Sequence, residues 1–192
     1  MVMEILRLFI AIQLPGPLKD ALTSAQKILV KANNNIRPTS LAGMHLTLKF
    51  LGDTPADQIP AIRQAMEQAA AQVSAPINLH CAGTGAFPKL DAPRVLWAGL
   101  SGSIKELGAL FRTLDLALEQ LGFPPEKRGL HPHVTLGRMR IPKQLSALRK
   151  AWPKVEHLDF GDFTADALVL YRSELKPGGA EYTSIERVPL PI

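Results

Sequence analysis

The chain has 192 residues, of which 46% are hydrophobic and 20% are charged, and its formal net charge is +5. This length suits one domain or two small lobes, and this composition excludes an intrinsically disordered chain. The apolar runs are too short for a membrane-spanning helix, which needs about 20 residues, and the single cysteine, Cys81, excludes an internal disulfide. The positive charge favours an anionic partner such as nucleic acid.

The first half of the chain begins with an apolar stretch that predicts a strand. Glu4 and Arg7 interrupt this stretch, so it does not resemble a signal peptide, and we expect a soluble cytoplasmic protein. Nothing in the sequence requires an assembly larger than a monomer. The predicted elements, read from apolar periodicity and turn residues, are a strand at 7–14, a helix at 18–31, a strand at 45–51, a helix at 56–73 and strands at 77–82 and 94–100.

The second half repeats much of this order. Its predicted elements are a helix at 103–121, a strand at 133–139, a helix at 143–152 and strands at 156–163, 167–174 and 182–188. Each half therefore reads as helix, histidine-bearing strand, helix, strand and strand. This order predicts an α+β fold made by duplication, with approximate halves 1–100 and 101–192 in one bilobal domain. We expect each lobe to contain a mainly antiparallel sheet with helices packed on it.

A short motif occurs once in each half, at the same place in the repeated order. It reads His-Leu-Thr-Leu from His45 and His-Val-Thr-Leu from His133. Side chains alternate between the two faces of a strand, so His45 and Thr47 share one face, as do His133 and Thr135. The apolar residues between them, and Phe50 beyond the first motif, are predicted to face the core.

Two imidazoles and two hydroxyls facing one pocket suit phosphoryl transfer. Histidine titrates near neutral pH, so one ring can act as a base while the other acts as an acid. Threonine hydroxyls can donate hydrogen bonds to phosphate oxygens. A single such motif would be weak evidence, because a lone histidine on a strand is usually structural, but two matched copies are much rarer.

The motifs and their context resemble the 2H phosphoesterases, in particular the bacterial and archaeal RNA 2′,3′-cyclic phosphodiesterases, also called 2′-5′ RNA ligases. The resemblance covers nearly the whole chain. The matching segments are residues 7–12, 36–38, 45–52, 85–88, 93–97, 131–138 and 170–175.

This resemblance implies a pseudo-twofold fold with two sheets facing a central cleft and helices packed outside. It also implies hydrolysis of an RNA 2′,3′-cyclic phosphate to a 2′-phosphate without metal or another cofactor, and in some members ATP-independent 2′-5′ joining of RNA. In the family's scheme, His133 would activate water and His45 would protonate the departing O3′. Thr47 and Thr135 would bind the phosphate oxygens. The residues alone do not separate the two histidine roles, since the site is pseudo-symmetric.

Further substrate contacts are expected from five residues. The family pattern favours a phosphate role for Arg138, although strict alternation from His133 would place it on the opposite face. Arg37 and Lys49 would add positive potential for RNA, and Lys49 shares the parity of His45. Two aromatic residues, Phe9 and Tyr171, are candidates to stack on the terminal base.

Other functions are possible from the residues alone. His131, His133 and His45 could form a three-histidine zinc site, although the repeated unit pairs histidine with threonine. The protein could bind cyclic-phosphate RNA ends without turnover, or it could hydrolyse small cyclic nucleotides. An ATP-dependent ligase is disfavoured because the sequence lacks a phosphate-binding loop of the GxxxxGK[ST] type.

Overall fold

A computed structural model describes residues 4–127, 129–143, 145–177 and 179–192. The strands within these residues are β1 (Ile5–Gln13), β2 (Ile36–Pro38), β3 (His45–Pro55), β4 (Asn78–Phe87), β5 (Val95–Gly102), β6 (His133–Met139), β7 (Asp159–Thr164), β8 (Ala167–Lys176) and β9 (Gly179–Pro189). The α-helices are α1 (Gly16–Ala32), α2 (Ile59–Ala70), α3 (Ile104–Glu119) and α4 (Leu145–Ala151).

The strands form two antiparallel sheets. The first sheet has the order β3-β1-β8-β9, and the second has the order β2-β6-β5-β4-β7. The α+β class with two mainly antiparallel sheets is thereby confirmed. Each sheet takes strands from both halves of the sequence, so the two lobes do not coincide with residues 1–100 and 101–192. The strand that carries His45 lies in one sheet, and the strand that carries His133 lies in the other.

The helices cover the sheets as amphipathic periodicity predicts. Helix α3 buries Leu107, Leu110, Leu114 and Leu118, which recur at helical spacing along one face. It packs beside α2, which contacts β8 and β9, while α1 contacts α4 and the strands β2, β6 and β7. The opposite faces of the sheets are left to form a cleft where β3 and β6 come together. No helix in the described part of the chain is long and apolar enough to cross a membrane.

Strand β2 was not predicted from the sequence. Its three residues are too few to show an alternating pattern, and Pro38 ends it. It adds an edge to β6, with Arg37 opposite Arg138. This short pairing matters for the site because it places two arginines side by side.

Candidate active site

Both His-x-Thr motifs face a single cleft of about 600 Å³. His45 and Thr47 reach it from β3, and His133 and Thr135 reach it from β6. All four side chains are only partly exposed, which is the position that alternation in a strand predicts for them. The structure therefore brings together the four residues that the repeated motif singled out.

A β-bulge follows the first motif and changes which residues reach the cleft. Ile10 of β1 pairs with Lys49 while Ala11 pairs with Thr47, so Leu48 is an extra residue in β3. Alternation restarts after the bulge. Phe50 consequently lies in the cleft with 68% of its surface exposed, and the prediction that it faces the core was wrong.

The same bulge explains why Lys49 does not contact the cleft. Its side chain is 5% exposed, forms an ion pair with Asp115 of α3 and donates to the Pro124 carbonyl. A buried, paired ammonium is not available to an RNA backbone. The prediction that Lys49 binds RNA was therefore wrong, because it assumed unbroken alternation from His45.

The second motif carries a matching bulge that turns Arg138 towards the cleft. Leu96 of β5 pairs with Gly137 and Trp97 pairs with Thr135, which leaves Leu136 as the extra residue. The carbonyl of Leu136 accepts hydrogen bonds from the Gln26 side chain at 2.7 Å and from the Thr39 backbone at 3.0 Å. Arg138 lines the cleft, and its role in binding phosphate stays a prediction.

Phe9 and Tyr171 lie beneath His45 and are too buried to act as an open stacking surface. Phe9 is 2% exposed and its ring stacks on Tyr171 with centroids 5.2 Å apart. The two rings lie 4.8 and 5.9 Å from the imidazole of His45. Phe9 borders the cleft, whereas Tyr171 does not line it. Both residues therefore hold His45 in place, which corrects the expectation that they stack on a base.

The surroundings of His45 favour the neutral ring. Burial lowers the pKa of His45 to about 4; the Ala42 backbone opposes this effect, and a nearby Lys19 charge adds to it. The edge of Tyr182 also contacts the ring, with centroids 5.5 Å apart. His45 is therefore neutral in the free protein near pH 7.

His133 has a defined tautomer when neutral. Its Nδ1 atom lies 2.6 Å from the backbone carbonyl of His131, which can only accept a hydrogen bond, so Nδ1 carries the proton. The Nε2 atom then keeps its lone pair. Burial lowers the pKa of His133, and the positive charge of Arg138 lowers it further.

The side chains that line the cleft favour an anionic ligand. Arg7, Arg37 and Arg138 line it, and none of its lining residues in the described chain is an aspartate or a glutamate. Arg37 and Arg138 are direct cross-strand partners, an arrangement that costs energy unless an anion lies between the two charges. Arg37 also reaches across to β9, where a Cβ at Gly179 would lie 2.6 Å from its Nη2 atom.

The alternative of a three-histidine zinc site is not formed by the described residues. No group of three histidine, cysteine, aspartate or glutamate side chains among them lies close enough to hold a metal ion. The hydroxyls of Thr47 and Thr135 make no hydrogen bond within the described chain and are free for a ligand. The polar groups that converge in the cleft are thus imidazole, hydroxyl and guanidinium.

Arg7, Phe50 and Tyr182 are among the cleft residues that were missed or misjudged from the sequence. Arg7 could have been found, because it shares strand parity with Phe9. Phe50 and Arg138 each lie five residues after a motif histidine. Strict alternation places both on the face opposite the motif, and both lie in the cleft instead. Tyr182 follows a turn far from both motifs, and no local pattern points to it.

Comparison with known proteins identifies the family of this chain. Residues 17–177 match the family model of the 2′-5′ RNA ligase superfamily. An RNA 2′,3′-cyclic phosphodiesterase of Thermus thermophilus is 32% identical over 96% of this chain and 90% of its own length. Another of Methanocaldococcus jannaschii is 30% identical over 94% of this chain and 99% of its own length.

Solved structures show the same fold. A protein of Thermus thermophilus has a TM-score of 0.79 and 32% identity, covering 96% of this chain and 97% of its own. E. coli LigT in complex with 3′-AMP has a TM-score of 0.72 and 25% identity, covering 97% and 99%. With its paired motifs in one cleft and a family match over most of its length, the chain belongs to the 2′-5′ RNA ligase superfamily of 2H phosphoesterases.

Proposed function

We propose that the protein hydrolyses RNA 2′,3′-cyclic phosphate ends to 2′-phosphomonoesters without a metal ion. The observation that carries the proposal is the pair of His-Thr groups, from two sheets, in one cleft lined by arginines and lacking carboxylates among its described residues. Relatives that are named RNA 2′,3′-cyclic phosphodiesterase align with nearly the whole chain.

His133 is the proposed general base. Its Nδ1 proton is held by the His131 carbonyl, so the Nε2 lone pair is free to take a proton from water. The resulting oxygen attacks phosphorus, and the P–O3′ bond breaks. The lowered pKa of His133 keeps the ring neutral before the reaction.

His45 is the proposed general acid. The pKa of His45 is low in the free protein. An anionic phosphodiester bound beside the ring favours its protonated form, so substrate binding raises this pKa. The imidazolium donates its proton to O3′ as that oxygen leaves, and the phosphate remains on O2′. When the 5′-hydroxyl of a second RNA attacks in place of water, the same two groups support ATP-independent 2′-5′ joining.

The remaining cleft groups bind the charge that develops at phosphorus. Thr47 and Thr135 donate hydroxyl hydrogen bonds to the non-bridging oxygens, and Arg138 adds a charged donor. Arg37 contributes its positive charge to the same phosphate-binding site from β2. RNA ends are the proposed partner because the charge of the cleft matches a polyanion.

The test is to replace each histidine separately. We expect His45→Ala and His133→Ala each to lower kcat on a cyclic-phosphate RNA by about 10²- to 10⁴-fold, because each removes one proton-transfer step. His157→Ala is the matched control, since His157 is 87% exposed and does not line the cleft. Wild-type turnover in either cleft variant, with circular dichroism showing an unchanged fold, would refute the two-histidine mechanism.

A further inference from the structure

The cleft continues along the first sheet beyond the histidines. On β1, Ala11, Phe9 and Arg7 are two residues apart and share one strand face, and of these Phe9 and Arg7 line the cleft. Ala11 pairs with Thr47, so Arg7 lies four residues beyond the catalytic level, a distance of roughly 13 Å along the strand. Arg7 and Thr47 therefore lie at different positions along the length of the sheet.

Phe50 occupies the interval between Thr47 and Arg7. It pairs with Phe9 across the strands, and their ring centroids are 6.0 Å apart. Phe9 is buried, with 2% of its surface exposed, whereas 68% of the surface of Phe50 is exposed inside the cleft. An exposed aromatic ring beside a phosphate site offers a stacking surface for a nucleobase.

Arg7 is exposed and forms no ion pair with any described residue, although Asp53 is its cross-strand partner. Arg172 on the neighbouring strand β8 differs in this respect. It pairs with Glu174 at 3.1 Å and with Glu4 at 3.6 Å. An unpaired guanidinium in a cleft without described acidic residues is available to an anion.

We propose that Arg7 binds the phosphate on the 5′ side of the terminal nucleotide, whose cyclic phosphate lies between the histidines and whose nucleoside packs on Phe50. The inference rests on the proposed function for the position of the cyclic phosphate. The order of groups along the sheet, hydroxyl, aromatic ring and guanidinium, matches the order phosphate, nucleoside and phosphate in a nucleic acid end. The favoured substrate is therefore an RNA end with a 5′-linked phosphate, in preference to a cyclic nucleoside that lacks one.

The test compares two stable product analogues, adenosine 2′-phosphate and adenosine 2′,5′-bisphosphate, by isothermal titration calorimetry. We expect the wild-type protein to bind the bisphosphate about tenfold more tightly, because one charge-assisted hydrogen bond is added. Arg7→Gln should bring the ratio of the two Kd values close to one, and Arg7→Lys should restore part of it. Phe50→Ala should weaken both ligands by a similar factor.

Arg172→Gln is the matched control, because it removes an arginine from the same sheet outside the cleft and should leave the ratio as in the wild type. A wild-type ratio near one, or a ratio unchanged by Arg7→Gln, would overturn the inference. Binding does not depend on turnover, so this failure is distinct from failure of the proposed function. The latter would appear as no hydrolysis of cyclic-phosphate RNA even though the two Kd values differ.

Discussion

At the scale of single residues, the two histidines of the cleft have different surroundings. His45 rests on buried aromatic rings, and burial lowers its pKa to about 4. His133 lies beside the edges of Phe87 and Trp97, at 5.2 and 6.5 Å, and its Nδ1 bond to the His131 carbonyl selects one tautomer. The motifs look alike in sequence, but their contacts make the proposed roles unequal.

The lowered pKa of His45 predicts a pH dependence of stability. The unfolded chain binds a proton at this residue near pH 6.5, whereas the folded chain does so only near pH 4. The contribution is therefore complete above about pH 6.5 and is lost as the pH falls towards 4. We expect the loss from His45 to be on the order of 2 kcal/mol, measured as the free energy of unfolding by urea at pH 7 and pH 4.5.

His45→Gln should reduce this pH dependence, and His157→Gln at the exposed control position should leave it unchanged. Burial also lowers the pKa of His133, so a smaller slope of the same sign should remain in His45→Gln. An undiminished slope in His45→Gln would show that the burial of His45 is not its cause.

At the scale of elements, the bulges at Leu48 and Leu136 decide which residues reach the cleft. The sequence was sufficient to predict the helices and the two histidine strands, because apolar periodicity over seven or more residues is a strong signal. It was not sufficient to predict a bulge, since alternation assumes a strict two-residue period and an extra residue leaves no local signature. The wrong strand faces predicted for Lys49 and Phe50, and the opposite face that alternation gave for Arg138, have this one cause.

A buried side-chain amide of α1 forms a hydrogen bond with the bulged residue of β6. The Gln26 side chain donates to the carbonyls of Thr39 and Leu136, both at 2.7 Å. We expect Gln26→Leu to lower the free energy of unfolding by about 1–3 kcal/mol, because it removes the donor from buried carbonyls. Because Leu136 then loses one of its two partners, Arg138 should be less well positioned and KM should rise more than kcat falls.

The control for this prediction is Ser24→Ala, which removes only an exposed bond to the Asp20 carbonyl within the same helix. Both variants are compared by thermal unfolding and by steady-state kinetics. Wild-type KM in a destabilised Gln26→Leu protein would mean that Gln26 stabilises the fold without positioning the cleft.

At the scale of the whole molecule, the site is formed by sheets that exchange strands between the sequence halves. Strand β3 pairs with β1, which in turn pairs with β8 from the second half, and β6 pairs with β2 and β5 from the first half. The repeated order of elements predicted two lobes but not this exchange, because strand pairing over long sequence distances leaves no local pattern. One consequence is that each lobe contributes one histidine and one threonine, so neither lobe contains the proposed catalytic pair by itself.

The most direct test of the central claim uses a short RNA ending in a 2′,3′-cyclic phosphate, incubated with the protein and excess EDTA. The mechanism predicts that the cyclic phosphate is hydrolysed completely in EDTA. The product should have its phosphate on O2′, because His45 donates its proton to O3′ as that oxygen leaves. A 3′-phosphate would reverse the geometry proposed for His45 and His133. Loss of turnover in EDTA, with recovery on adding zinc, would contradict metal-free catalysis by the two histidines.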